Sequence, residues 1–227
     1  MTHSMQRSTK LGLGWSLLAT AAIALMPALP VHAGIIPDEE REVRALIAKV
    51  AETGDLNTMS KLLTAGLDIN LQDENGQPAL VTATLAKQDD MVRLLLDHKA
   101  DVMTRTKKGM TALHAAAYVG NLPAAKLLMA HGAYVNDQAN FAHITALHGA
   151  AEENHLASVK ALVDAGTDMS LVDVKGYTAS TLAGWKQNWD VVQILVKHGD
   201  ICQPEAIAGP WVFKKCMELT PKTALQP

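Results

Sequence analysis

The sequence predicts an all-α solenoid of helix-turn-helix-loop units closed by a C-terminal cap, and three observations carry that prediction. A pattern recurs about every 33 residues along most of the chain, the signature of stacked supersecondary units. Aromatic residues make up only 4% of the 227 residues, fewer than most β-sandwiches or barrels need, while Ala and Leu recur throughout and favour close-packed helices. Glycines follow the second of two short helical stretches, where a helix is capped. The chain is 48% apolar and 19% charged, the composition of a folded, soluble protein. Its formal charge of −3 supplies no basic field, so no nucleic-acid partner is expected.

Residues 1–33 read as a signal peptide. Arg7 and Lys10 stand in a segment without acids, Leu11 to Leu29 is almost entirely apolar, and Val31 and Ala33 place small residues before a cut between Ala33 and Gly34. A membrane-spanning helix is the competing reading, but Gly12, Gly14 and Pro27 interrupt the run and no basic cluster follows. No cysteine near Gly34 accepts a lipid, and no paired arginines mark folded export. Removal of 33 residues leaves 194, and loss of Arg7 and Lys10 takes the formal charge from −3 to −5. The expected product is periplasmic, with no membrane attachment once the signal is gone; secretion is the alternative.

Residues 34–203 form the repeat domain, in units of about 38–72, 73–105, 106–138, 139–172 and 173–203. Setting the second unit over the third aligns Gly76 with Gly109, Ala79-Leu80 with Ala112-Leu113, Ala83 with Ala116 and Leu95-Leu96 with Leu128-Met129. The fourth repeats Thr111-Ala112-Leu113-His114 as Thr145-Ala146-Leu147-His148, and the fifth keeps Gly176, Thr178, Leu195 and Gly199. The first is a truncated copy. Within the third unit, residues 111–119 and 122–131 read as two helices joined at Gly120-Asn121, leaving through Gly132 into an extended loop. Small residues at Ala83-Thr84, Ala116-Ala117, Ala150-Ala151 and Ala183-Gly184 let helices approach closely. Helix pairs this short cannot bury an apolar face alone, so stability must come from stacking.

The tail, 204–227, departs from the repeat, and its Ile207, Trp211, Val212, Phe213 and Leu219 suit it to cover the last apolar face. Cys202 leaves the fifth unit and Cys216 follows fourteen residues later. In an oxidising compartment the pair either forms a bridge that staples the cap, with a loop closure of roughly 3 kcal/mol, or remains as buried free thiols.

The segment Gly109-Met110-Thr111-Ala112-Leu113-His114-Ala115-Ala116-Ala117 resembles the G-x-T-P-L-H-x-A-A signature of the ankyrin repeat, and the likeness extends over about three quarters of the chain. Ala79, Ala112, Ala146 and Ala179 stand where the family has Pro. Lys99 stands where glycine caps the other second helices, which implies softer structure around 97–101. The resemblance implies that His114 and His148, with Thr111 and Thr145, bond backbone between neighbouring units rather than holding a metal. His131 and His198 are expected to reach the last carbonyls of their helices, while His98, His143 and His155 share no metal-site spacing with a carboxylate.

No G-x-S-x-G, H-E-x-x-H or G-x-x-x-x-G-K is present. Asp89-Asp90 and Glu152-Glu153 are sequence neighbours that diverge on a helix, so they read as solvated surface. The chain is therefore not expected to be an enzyme or to need a cofactor; a hydrolase with an unrecognised site is an alternative. The resemblance implies protein binding through the fingertips and the exposed side of the first helices. There the pattern sets Lys107, Lys108, Met110, Tyr118, Phe141, Ile144, Tyr177, Trp185 and Lys186, with Asn75, Gln77 and Leu85 at the start of the row. Of eight aromatic residues after position 33, four, Tyr118, Phe141, Tyr177 and Trp185, fall on this row; the alternative is that these rings pack on each other or on the tail. Aromatics flanked by lysines dominate binding hot spots, so a protein partner is expected for a scaffold that is itself monomeric. Small exported bacterial proteins of this kind are associated with oxidant defence beside a catalase or with toxin immunity; a secreted effector acting on host proteins is the other alternative.

Overall fold

The computed structural model describes residues 37–220. Twelve helices follow one another there: α1 (Pro37–Thr53), α2 (Leu56–Thr64), α3 (Ala79–Leu85), α4 (Asp89–Asp97), α5 (Ala112–Val119), α6 (Leu122–Ala130), α7 (Ala146–Glu152), α8 (Leu156–Asp164), α9 (Ala179–Trp185), α10 (Trp189–Lys197), α11 (Glu205–Ala208) and α12 (Pro210–Leu219). The first ten are five antiparallel pairs. Odd-numbered helices α1 to α9 stack in one layer and even-numbered α2 to α10 in a second, each pair packed against the next. The fold is an all-α solenoid. The signal segment and the cut between Ala33 and Gly34 lie outside the described residues, as do 221–227.

The core is the repeat written in side chains. Leu95, Leu128, Leu162 and Leu195 are almost entirely enclosed between the layers, and Leu62 at the open end slightly less so. Ala83, Ala116, Ala150 and Ala183 have no exposed surface, so backbones of successive first helices meet closely. In the third unit the first helix begins one residue later, and the second ends one residue earlier, than the apolar pattern alone implies. Thr111 and Asn121 are their N-caps, with the Asn121 side chain accepting from Ala124 N at 3.1 Å. Such caps satisfy amides that no helical carbonyl reaches.

Lys99 keeps the left-handed backbone of the glycines it replaces, at φ 67°. Its amide bonds Leu96 O and the next amide bonds Leu95 O, matching the pair made after Met129 by Gly132 and Ala133. The register around 97–101 is thus preserved, at roughly 1 kcal/mol of backbone strain. His98 makes the bond expected only of His131 and His198: in all three, Nδ1 meets the carbonyl four residues back at 2.8–2.9 Å.

Units are also stitched by side chains spaced one repeat apart. Gln88, Asn121, His155 and Asn188 each bond a carbonyl at the end of the preceding unit's first helix. Asp89, read from sequence as solvated, accepts from Asn121 Nδ2 at 2.9 Å. At the C-terminal end α12 covers α9 and α10, and Cys202 and Cys216 are joined as a disulfide with Cα atoms 5.8 Å apart. Asp200 occupies the position of buried Ala100 and Ala133; its Oδ2 is enclosed without a partner.

Candidate protein-docking face

Four loops between helix pairs project as fingers, the second to the fifth by the unit each one opens. Each turns because the amide of its fourth residue bonds the carbonyl of its first: Gly76 to Asp73, Gly109 to Thr106, His143 to Asn140 and Gly176 to Asp173. Gly109 is required twice over. Its φ is +82°, and a Cβ there would stand 2.6 Å from Ala139 O of the next finger. His143, which has no role in a metal site by its spacing, occupies the same turn position in the fourth finger at φ 52°. The fingers bond one another: Phe141 N donates to Lys108 O at 3.3 Å, Val174 N to Ala142 O at 2.9 Å, and Lys107 Nζ to Glu74 O at 2.8 Å. They form one row.

Behind the third, fourth and fifth fingers lies the polar framework that fixes them. Arg105 grips Asp137 with two bonds of 2.6 and 2.8 Å and also donates to Gly109 O at 3.1 Å. Burial pushes the Asp137 carboxyl up, but the Arg105 guanidinium outweighs it and leaves the group below the ordinary carboxylate value. His114 accepts from Thr111 N at Nδ1, so its proton sits on Nε2, facing Asp137 O at 3.1 Å and Ile144 O at 3.0 Å. His148 repeats this, accepting from Thr145 N and meeting Tyr177 O at 3.1 Å. Burial lowers the pKa of both rings, against the opposing pull of the carbonyls they bond. Both nitrogens of each ring are spent on backbone, which leaves no lone pair for a metal or a substrate proton. Among the described residues no group of three or more His, Cys, Asp or Glu is placed to hold a metal ion.

The row itself is apolar at its outer surface. Phe141, at the fourth fingertip, is 79% exposed. Tyr118 and Trp185, at equivalent ends of α5 and α9, are 53% and 44% exposed, and Val174 at the fifth fingertip is also exposed. Lys108 and Lys175 stand exposed at the tips. Met110 and Ile144 are half-buried at the finger bases. Tyr177 differs from its expected exposure: it is half-buried, its ring meeting Trp185 edge-on with centroids 4.3 Å apart. Lys186 reaches Glu152 at 3.3 Å, an exposed pair of little energetic weight. At the other end of the face, Asn75, Gln77 and Leu85 line an open groove of about 590 Å³ between α1 and α3, walled by Lys49 and Glu52.

Two contacts that brace this face from the cap were not visible from the repeat. Trp185 Nε1 donates to Ala208 O in the cap at 2.8 Å, and Val212 of α12 rests against Gly184. No periodic signal points to them, because the tail has no second copy to align.

Among the described residues no helix is long and apolar enough to cross a membrane. The family profile of ankyrin repeats, in three copies, matches residues 46–139 and 136–205. The chain is 38% identical over 74 residues to a putative ankyrin repeat-containing protein of Treponema pallidum, covering 33% of this chain and 24% of that one. It is 35% identical over 130 residues to Rabankyrin-5 of Homo sapiens, covering 51% of this chain and 11% of that one. It is 33% identical over 95 residues to Serine/threonine-protein kinase 12 of Arabidopsis thaliana, covering 42% and 21%. The chain thus spans only about a tenth to a quarter of these relatives' lengths. Ankyrin repeats are protein-interaction modules, in keeping with a stitched row of exposed apolar fingertips, and this chain belongs to the ankyrin repeat family.

Proposed function

We propose that this protein is an exported, non-enzymatic scaffold of the periplasm that docks a protein partner on its fingertip and first-helix face and thereby protects or inhibits it. The observation that carries the docking reading is the exposure of Phe141, Tyr118 and Trp185 on one row. Rigid aromatic anchors set in a polar rim are where binding energy concentrates, since they bring large contact area at small entropic cost. The fingers are held by backbone bonds and by Arg105–Asp137, so little ordering is left to be done on binding. The Cys202–Cys216 bridge supports export, because disulfides persist in oxidising compartments. A signal cut between Ala33 and Gly34 belongs to the same proposal, and intact mass of the exported protein tests it.

Capture of partners from an osmotic-shock extract, followed by affinity measurements on alanine variants of Tyr118, Phe141, Tyr177 and Trp185, tests the docking face. Truncation of a central anchor is expected to cost about 2 kcal/mol or more in affinity while circular dichroism and melting stay near the parent's. Normal binding by all four folded variants overturns the reading.

A further inference from the structure

The outer end of the docking face is not built by the repeat. Tyr118 projects from α5 with its ring free of the cap, whereas Trp185 is oriented by a hydrogen bond from its indole to Ala208 O, a buried residue of α11. Tyr177 rests on that indole. The neighbouring residue, Gly184, stands where earlier units carry Thr84, Ala117 and Ala151. A Cβ at Gly184 would lie 2.6 Å from Val212 Cγ1, so the last first-helix has surrendered its side chain to seat α12. Gln203 completes the arrangement, accepting from Thr178 N at 3.0 Å and donating to Gly176 O at 2.8 Å, which adds to the His148 bond to Tyr177 O in fixing the fifth finger.

These contacts converge on a strap cross-linked to α12 by the disulfide. Cys202 immediately precedes Gln203, and Cys216 lies on α12 one helical turn beyond Val212. The seam beneath is partly polar, lined by Ser180, Thr181 and Gln203, and beside it Asp200 keeps a buried carboxylate oxygen without a partner. The seam's buried apolar residues are Ala208, Val212 and Cys216, where the inner seams are Ala on Ala. Cys216 is buried and Cys202 only partly so, which makes Cys202 the more exposed residue of the bridge.

We infer that the Cys202–Cys216 bridge is a redox latch on the docking face: a dithiol reductant opens it, α12 lifts from Gly184, and the Trp185–Tyr177 pair and fifth finger lose their fixed geometry. One thiolate of the dithiol attacks the Cys202 sulfur, the S–S bond breaks, and Cys216 leaves as a thiolate that takes up a proton. The second thiol of the donor then displaces Cys202 as a thiol. The donor ends as a disulfide, two electrons and two protons having passed to the bridge. This latch rests on the docking reading for its consequence, namely that a partner meets a complete face only on the oxidised protein.

Hydrogen exchange followed by mass spectrometry on the full exported chain tests it without any partner. Three samples are compared: oxidised, reduced with dithiothreitol, and oxidised Val212→Ala. In the reduced sample, peptides covering 177–188 should exchange at least ten-fold faster and regain protection on reoxidation, while those covering 112–130 keep their rates. Oxidised Val212→Ala should accelerate the same segment several-fold with the bridge intact. Acceleration confined to 203–219 overturns the latch, as does no change anywhere. Acceleration of 112–130 as well also overturns it, because the bridge would then staple the whole stack. Indifference of a captured partner to the alanine variants of Tyr118, Phe141, Tyr177 and Trp185 alike would instead overturn the docking reading.

Discussion

The third and fourth units each hold the finger of the unit that follows, whereas the fifth has no following unit and meets the cap instead. In the inner units one imidazole per repeat joins the start of the first helix to the next unit's finger: His114 to Asp137 O and Ile144 O, His148 to Tyr177 O. In the fifth, Thr181 takes the histidine's place and reaches only Thr178 within its own unit, and Gln203 and the stapled cap do the rest. A solenoid's bonding pattern is complete only where a neighbour exists to receive it. At the end of the stack the same polar groups need a segment that does not repeat.

The first way to break this comparison is through the core that both regions share. Leu128→Ala should destabilise the protein by about 2–5 kcal/mol, as truncation in a tightly packed interior leaves a cavity. Leu195→Ala, equally buried but bordered by the cap rather than a sixth unit, should cost less if α12 relaxes into the space. Urea unfolding midpoints decide both, and equal losses would mean that the cap packs like a repeat. Opening the bridge with Cys202→Ser should lower stability by roughly 3 kcal/mol, the chain entropy released from a loop of this size, read as the difference in urea midpoints between oxidised parent and variant.

Titration separates the two regions by sign. His114 and His148 sit below their ordinary value of 6.5, through burial above all. Under that value the unfolded chain takes up protons that the folded one refuses, so the inner units' contribution is whole above pH 6.5 and declines as pH falls. His114→Ala should cost about 1–3 kcal/mol at neutral pH by leaving two carbonyls unpaired, and should flatten the melting temperature between pH 5 and 7. Asp200 behaves oppositely. Burial raises its pKa above 3.8, offset in part by Ser180 and the Ile201 amide. The folded form keeps a proton that the unfolded form has lost, so this contribution is present at pH 3.8 and is lost as pH rises through the folded value. Asp200→Ala, restoring the residue of the inner units, should therefore raise stability at pH 7 by about 1 kcal/mol. A melting curve at pH 7 that falls instead would mean that the Asp200 bond to Ile201 N matters more than its buried charge.

The inner units were legible because each residue could be checked against its copies. Leu95, Leu128, Leu162 and Leu195 shared a position, and so did Gly76, Gly109 and Gly176. His98 was missed only because Lys99 replaced the glycine that marked its equivalents. Asp200 could have been found the same way, since Gly199-Asp200 aligns with Gly132-Ala133. The outer end offered no such check. Spacing left Cys202 and Cys216 open to pairing or to free thiols, and the tail's apolar content pointed to a cap without saying what it touches. Tyr177 was expected to be exposed because its pairing with Trp185 depends on an orientation set by Ala208, twenty-three residues further on.

Phe141 and Tyr134 allow the docking claim to be put to one measurement. Both are exposed aromatics, 79% and 60%, but Phe141 crowns a finger while Tyr134 lies in the loop just leaving α6, on the second-helix side. The protein captured by the parent chain is titrated against Phe141→Ala and Tyr134→Ala, each verified as folded. Loss of about 2 kcal/mol, or roughly thirty-fold in affinity, is predicted for Phe141→Ala, with Tyr134→Ala indistinguishable from the parent. A partner that ignores Phe141→Ala and releases Tyr134→Ala would place binding on the opposite side of the solenoid and contradict the account.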